Sequence, residues 1–154
     1  MKLNKTRRDL KEAIIHVSIL SLVIASIIYF AANLQMIGLI LIAAGTLPLI
    51  SLKLTGEKIK EAISEIVFGA FNTGLIAILA IGGFALEGIF GAIVGVVAGD
   101  AITEGFSGIL EGEVAEMLMK KGIKEKNDPL ISSLGKMAGA LLGGGIVLLI
   151  FSSI

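Results

Sequence analysis

Asp100 and Glu104 are two carboxylates embedded in an apolar stretch. Their four-residue spacing places them on one face of a helix. The stretch is long enough to lie in a bilayer, and Asp100 falls near its middle. A charged aspartate there costs roughly 3 kcal/mol on insertion scales, so such a residue normally faces a cavity, a partner or an ion pathway. A protonated or hydrogen-bonded structural carboxyl is the plainer alternative. Ser107 and Glu111 continue the face, and Glu113 and Glu116 follow, with Met117 and Met119 close by. Hard divalent cations take several carboxylate oxygens, and Fe²⁺ or Mn²⁺ accept mixed oxygen ligands. One helix cannot complete that shell, so neighbours or symmetry mates must contribute. Against this stands a solvated helix stub, with Glu113 and Glu116 paired to Lys120 and nearby lysines at helical spacing.

Other polar residues carry less chemistry. Asn72, Thr73 and Gly74 interrupt an apolar run near mid-membrane, where polar side chains bond across helices or line a path. Ser18, Ser21, Ser26 and Thr46 are expected to bond back to their own helix backbone. The single histidine, His16, lies near the edge of a span and cannot build a multi-histidine metal site. Cysteine is absent, which excludes disulfides, thiolate metal sites and cysteine nucleophiles. No nucleophile has a base beside it, and no phosphate-cradling loop or zinc-protease motif is present, so no enzyme is expected. A net charge of zero gives no bulk field for nucleic acid.

These residues must be positioned by long apolar helices. The chain has 154 residues, of which 55% are hydrophobic, and its apolar runs reach membrane length. A hydrocarbon core of about 30 Å needs roughly 20 apolar helical residues. Five runs approach that: about 13–32, 36–52, 63–84, 88–110 and 130–154. The fold class is therefore all-α, a polytopic transmembrane helix bundle forming one membrane domain over 1–154. Tight turns are expected at Asn33-Leu34-Gln35 and Ala85-Leu86-Glu87. Residues 53–61 are charged and lead into the third span. Asp128-Pro129 reads as the start of the last helix. The fourth helix is expected to continue past the membrane as an acidic extension over about 111–126. No cleavable signal peptide is expected, because the first apolar run is too long and lacks a small-residue cleavage pattern.

Charge placement supports the count of five. Lys2, Lys5, Arg7, Arg8 and Lys11 precede the first span, and Lys53, Lys58 and Lys60 follow the second. Lys120, Lys121, Lys124 and Lys126 follow the fourth, and Lys136 opens the fifth. With five spans all of these lie on one side, and the opposite turns carry no Lys or Arg. The positive-inside rule then places the N-terminus in the cytoplasm and the C-terminus outside. Lys53, Lys58 and Lys60 are expected to meet lipid headgroups.

Glycine is the second regularity. Gly91, Gly95 and Gly99 recur every four residues, as do Gly135, Gly139 and Gly143. Such stripes let helices approach closely in lipid. They serve either packing within one chain or a dimer interface.

The last 90 or so residues, about 64–154, resemble the vacuolar iron transporter family. Residues 65–83, which begin Glu-Ile-Val-Phe-Gly-Ala-Phe-Asn-Thr-Gly-Leu, resemble that family's opening span. Residues 98–113, Ala-Gly-Asp-Ala-Ile-Thr-Glu-Gly-Phe-Ser-Gly-Ile-Leu-Glu-Gly-Glu, are similar to its next span and the glutamate-rich extension that follows. The segment from Asn127 through Gly143 is similar to the span after that. There are departures. The family's aspartate in the opening span is replaced around Asn72 or Thr73, and its tyrosine position holds Ile109. Two spans precede these three here, where the family has two that follow. The resemblance implies a homodimer that exports or sequesters Fe²⁺ or Mn²⁺ in exchange for protons. It carries over Glu104, Glu111, Glu113 and Glu116 as metal ligands.

Two functions follow. One is a divalent cation transporter, iron- or manganese-like, with Asp100, Glu104, Asn72 and Thr73 along the ion pathway. It works in a bilayer as a homo-oligomer, with a dimer favoured. It has no tightly bound cofactor, and the metal is its substrate. The other is a non-transporting membrane assembly or scaffold protein, in which the glycine stripes only pack helices.

Overall fold

The computed structural model describes the backbone of residues 2–31, 36–122 and 128–152, and their side chains except those of 2–9, 108, 110, 111 and 115. The expected turn Asn33-Leu34-Gln35, residues 123–127 of the acidic extension, residues 153–154, and the side chains of Glu111, Lys2, Lys5, Arg7 and Arg8 lie outside the described residues. Within them the chain is all-helical. Helices α1 (Lys2–Ala31), α2 (Ile37–Ala44) and α3 (Thr46–Leu54) are followed by a 3₁₀ turn (Ile59–Ala62), α4 (Ile63–Lys120) and α5 (Pro129–Phe151). Four helical stretches are long and apolar enough to cross a membrane: Leu10–Ala31, Ile37–Leu54, Ile59–Lys120 and Pro129–Phe151. This is the make-up of an integral membrane protein.

The second stretch is two short helices in line. Pro48, buried at the third position of α3, has no N–H to give the Ala44 carbonyl, so the ladder restarts there. Beside the break, Thr46 Oγ1 donates to the Ala43 carbonyl at 2.7 Å. At the end of α3, Gly56 takes φ +81°, and Glu57 N–H reaches back to the Leu52 carbonyl at 3.0 Å. That closes the helix in a Schellman turn. The start of α5 is capped by Asp128, whose carboxylate accepts from Leu130 N–H at 2.9 Å, with Pro129 in the first turn.

The longest stretch is broken in the middle. Glu87 (φ −135°, ψ 24°) and Gly88 (φ 60°, ψ −138°) leave helical geometry inside α4. A φ of +60° is open to glycine and strained for other residues. Beyond this point Gly91 lies against Gly83, Gly95 against Leu79, and Gly99 against Ile76. Residue numbers fall on one side as they rise on the other, so arms 63–86 and 89–120 form an antiparallel hairpin. The reversal sits at Glu87-Gly88, slightly later than the expected Ala85-Leu86-Glu87.

Among the described residues α5 is the one element that touches every other. Along it, Gly135, Gly139 and Gly143 meet Glu65, Ile66 and Ala70 in turn, so α5 runs parallel to the first arm of α4. It runs antiparallel to α2, since Gly38 abuts Gly145 and Leu149, and Gly45 abuts Ala138 and Leu142. A small apolar core of Ala13, Leu52, Ala62, Leu130, Ile131 and Leu134 gathers where α1, α3, the 3₁₀ turn and α5 converge. Elsewhere large apolar side chains face outward. On the second arm of α4 these include Ile89, Phe90, Ile93, Val97 and Phe106, each more than half exposed. Water disfavours such a surface, and hydrocarbon accepts it.

Candidate functional site

The α4 hairpin carries most of the candidate residues. Its arms approach to backbone contact: a Cβ added at Gly91 would collide with the Gly83 carbonyl oxygen, and one at Gly95 with that of Leu79. One at Gly99 would lie 2.9 Å from Ile76 Cα. The same line continues one turn further to Thr103, whose side chain is fully buried. Its hydroxyl donates to Asn72 Oδ1 on the opposite arm. The carbonyls of Gly99 and Asp100, 3.0 Å away, compete for the same proton. Asn72 is therefore half-buried and bonded across the hairpin. Thr73, one residue on, turns toward α5: its methyl lies 3.1 Å from where a Cβ on Gly144 would sit.

Asp100 and Glu104 stand on a different face. Successive helical residues are rotated by about 100°, so Asp100 points well away from the contact line through Gly99 and Thr103. Both carboxylates are exposed. Their flank also carries Ile93 and Val97, which are apolar and exposed. The structure does not join Asp100 and Glu104 to Asn72 and Thr73. The first pair lies on the outer flank, Asn72 lies inside the hairpin, and Thr73 lies against α5.

Farther along, Glu113 is exposed, and Glu116 pairs with Lys120 at 2.7 Å, both largely exposed. An exposed pair at this spacing contributes about 0.3–0.5 kcal/mol. Among the described residues no three His, Cys, Asp or Glu side chains converge to hold a metal ion. Ser107 bonds back to the Glu104 carbonyl at 2.9 Å and Ser26 to the Leu22 carbonyl at 2.8 Å. His16 Nδ1 is 2.9 Å from the Glu12 carbonyl, one turn earlier on its own helix.

The second stripe meets the first arm of α4. A Cβ at Gly139 would strike the Ile66 carbonyl, one at Gly143 the Ala70 carbonyl, and one at Gly135 would lie 2.8 Å from Glu65 Cβ. At this end a polar cluster emerges that sequence reasoning did not assemble. Glu65 Oε1 accepts from Ser132 Oγ at 2.7 Å, and Lys136 Nζ lies 3.5 Å from Glu65 Oε2 and 5.0 Å from the centre of the Phe68 ring. Oε2 is buried and accepts no hydrogen bond among the described residues. One available signal was Lys136 and Ser132 at four-residue spacing on one face of an otherwise apolar helix.

Compared with family models, with curated proteins and with solved structures, the chain matches none.

Proposed function

We propose that this chain is a transporter of divalent cations, iron- or manganese-like, that works as a homodimer in the membrane. The observation that carries the reading is the outward placement of Asp100 and Glu104. Asp100 lies twelve residues past Gly88, about 18 Å along the helix at 1.5 Å per residue, deep within a bilayer. A carboxylate facing hydrocarbon there costs roughly 3 kcal/mol. A second copy across that flank would remove the carboxylates from lipid, and a cation between the copies would neutralise them. Two chains would also double the oxygens available, where the described residues of one chain bring no three ligands together. The resemblance to the vacuolar iron transporter family adds the metal class and the glutamates Glu104, Glu111, Glu113 and Glu116.

The reading includes five spans. A straight helix over the 62 residues of Ile59–Lys120 would run about 93 Å at 1.5 Å per residue, some three times the hydrocarbon thickness. The reversal at Gly88 divides it into two arms of bilayer length. The glycine stripes then pack arm on arm and α5 on the first arm, and the lysine-rich side with the N-terminus is cytoplasmic.

The test is flux of Mn²⁺, Fe²⁺ and Co²⁺ into proteoliposomes, with Asp100→Asn as the paired variant. The expected outcome is flux in the native protein and none in Asp100→Asn, with both folding alike. The metals should also raise the melting temperature of the purified native protein, since a ligand that binds only the folded state stabilises it. One observation favours the non-transporting scaffold: Asn72, a pathway candidate, is used to bond the hairpin together. Absence of both flux and metal-dependent stabilisation would decide for it.

A further inference from the structure

At the lysine-rich end an open cleft of about 930 Å³ lies between the segment after α3 and the end of α4. Lys53, Lys58, Lys60 and Lys121 line it, with Glu57 and Glu61, which leaves two positive charges in excess. Two left-handed glycines shape it. Gly56 (φ +81°) turns the chain out of α3 toward Lys58 and Lys60, and Gly122 (φ +74°) ends α4 just after Lys121. Among the described residues, Lys53, Lys58, Lys60 and Lys121 hold no ion pair. This differs from Lys120, which pairs with Glu116, and Lys136, which lies beside Glu65. Four ammonium groups, from the end of α3, the segment after it and the end of α4, thus line one cleft and outnumber its two carboxylates.

The cleft also stands where the apolar helices stop. Leu54, the last residue of α3, is 82% exposed, so lipid-facing surface runs up to the lip beside Lys53. Ile59 supplies an apolar part of the lining. The carbonyl ends of α3 and α4 and the two glutamates work against an anion, and the lysines must outweigh them.

We infer that this cleft binds the phosphate of an anionic glycerophospholipid, taken from the surrounding leaflet. Inorganic phosphate would fill a small part of the volume and would leave the apolar lip unused. A glycerophospholipid places its phosphate among the lysines and its glycerol and acyl chains along Ile59 and Leu54. The inference is independent of metal transport.

The experiment is native mass spectrometry of the full chain released from detergent with equal amounts of phosphatidylglycerol and phosphatidylcholine. A lysine near an anionic headgroup contributes about fivefold in affinity, so two charges in excess predict about a thirtyfold preference for phosphatidylglycerol. The variant Lys53→Gln/Lys58→Gln/Lys60→Gln/Lys121→Gln should lose that preference. Lys11→Gln/Lys120→Gln, which removes two lysines outside the cleft, should keep it. Replacing the four cleft lysines by arginine should also keep it, which guards against a variant that merely misfolds. In the native protein, salt near 1 M should erase the preference, because the screening length falls to about 3 Å. Glycerol 3-phosphate at the lipid's concentration should leave the lipid bound. No preference in the native protein would overturn the inference. So would equal loss in the Lys11→Gln/Lys120→Gln control, or displacement by glycerol 3-phosphate, which would make this a site for soluble phosphate esters.

Discussion

At the scale of single residues, a partly buried hydrogen bond joins the two arms of the hairpin. Thr103 and Asn72 occupy the interface at the level where the glycine line ends. Hydrogen bonds between membrane helices average about 0.6 kcal/mol and reach about 1.7 in mutant cycles. Thr103→Val should therefore destabilise the protein by about 1 kcal/mol, read from denaturant unfolding in micelles. Asn72→Leu should cost a similar amount. The double variant should cost less than the two singles added, since either change already breaks the bond. Strict additivity would show that the two side chains are not coupled. Asn72 was visible in the sequence as a polar residue in an apolar run. Its partner was not, because Thr103 sits among Asp100, Glu104 and Ser107, which are as polar and more conspicuous. The missing information was register. Once the reversal is placed at Gly88, Thr103 follows Gly99 by one turn and falls opposite Asn72. The partnership of Lys136 with Glu65 is hidden for the same reason, since it depends on α5 lying parallel to the first arm of α4.

Among the elements, close backbone approach separates glycines that look alike in sequence. A Cβ at Gly91 meets the Gly83 carbonyl, whereas one at Gly105, on the same arm, meets nothing within 4 Å. Gly105→Ala should be neutral or stabilising by up to about 1 kcal/mol, the usual gain from replacing glycine in a helix. Gly91→Ala has the same helix propensity but must push two backbones apart, so it should lower the melting temperature. The informative quantity is the difference between the two variants in one detergent. Equal effects would mean that the hairpin arms do not approach as described. The four-residue glycine periodicity was plain from the sequence, and so was the start of α5 at Asp128. The break at Gly45 was not foreseen, although Pro48, which causes it, stands inside that span. Nor was the residue that turns the hairpin. The chain has 20 glycines, and nothing in composition marks which of them adopts a positive φ.

For the whole molecule, charge and hydropathy were legible because the bilayer imposes them on sequence directly. The number of crossings hangs on one point, because Ile59–Lys120 is a single helical stretch and the expected five spans require it to reverse, as it does at Gly88. The two counts predict opposite topologies. Suppose α4 crosses twice and the N-terminus is cytoplasmic. Glu87 and Ser152 then face outward, and Lys58 and Lys121 face the cytoplasm. If α4 crossed once, Lys121 would face outward and Ser152 inward. The chain has no cysteine, so Glu87→Cys, Ser152→Cys, Lys58→Cys and Lys121→Cys each introduce a single thiol against a blank background. A membrane-impermeant maleimide applied to intact cells should label Glu87→Cys and Ser152→Cys. It should reach Lys58→Cys and Lys121→Cys only after the membrane is permeabilised. Labelling of Lys121→Cys with protection of Ser152→Cys would remove the five-span arrangement. It would also place the cleft's Lys58 and Lys121 on opposite sides of the bilayer, which their shared cleft does not permit. The same labelling thus tests the crossing number and the charge asymmetry from which the orientation was drawn.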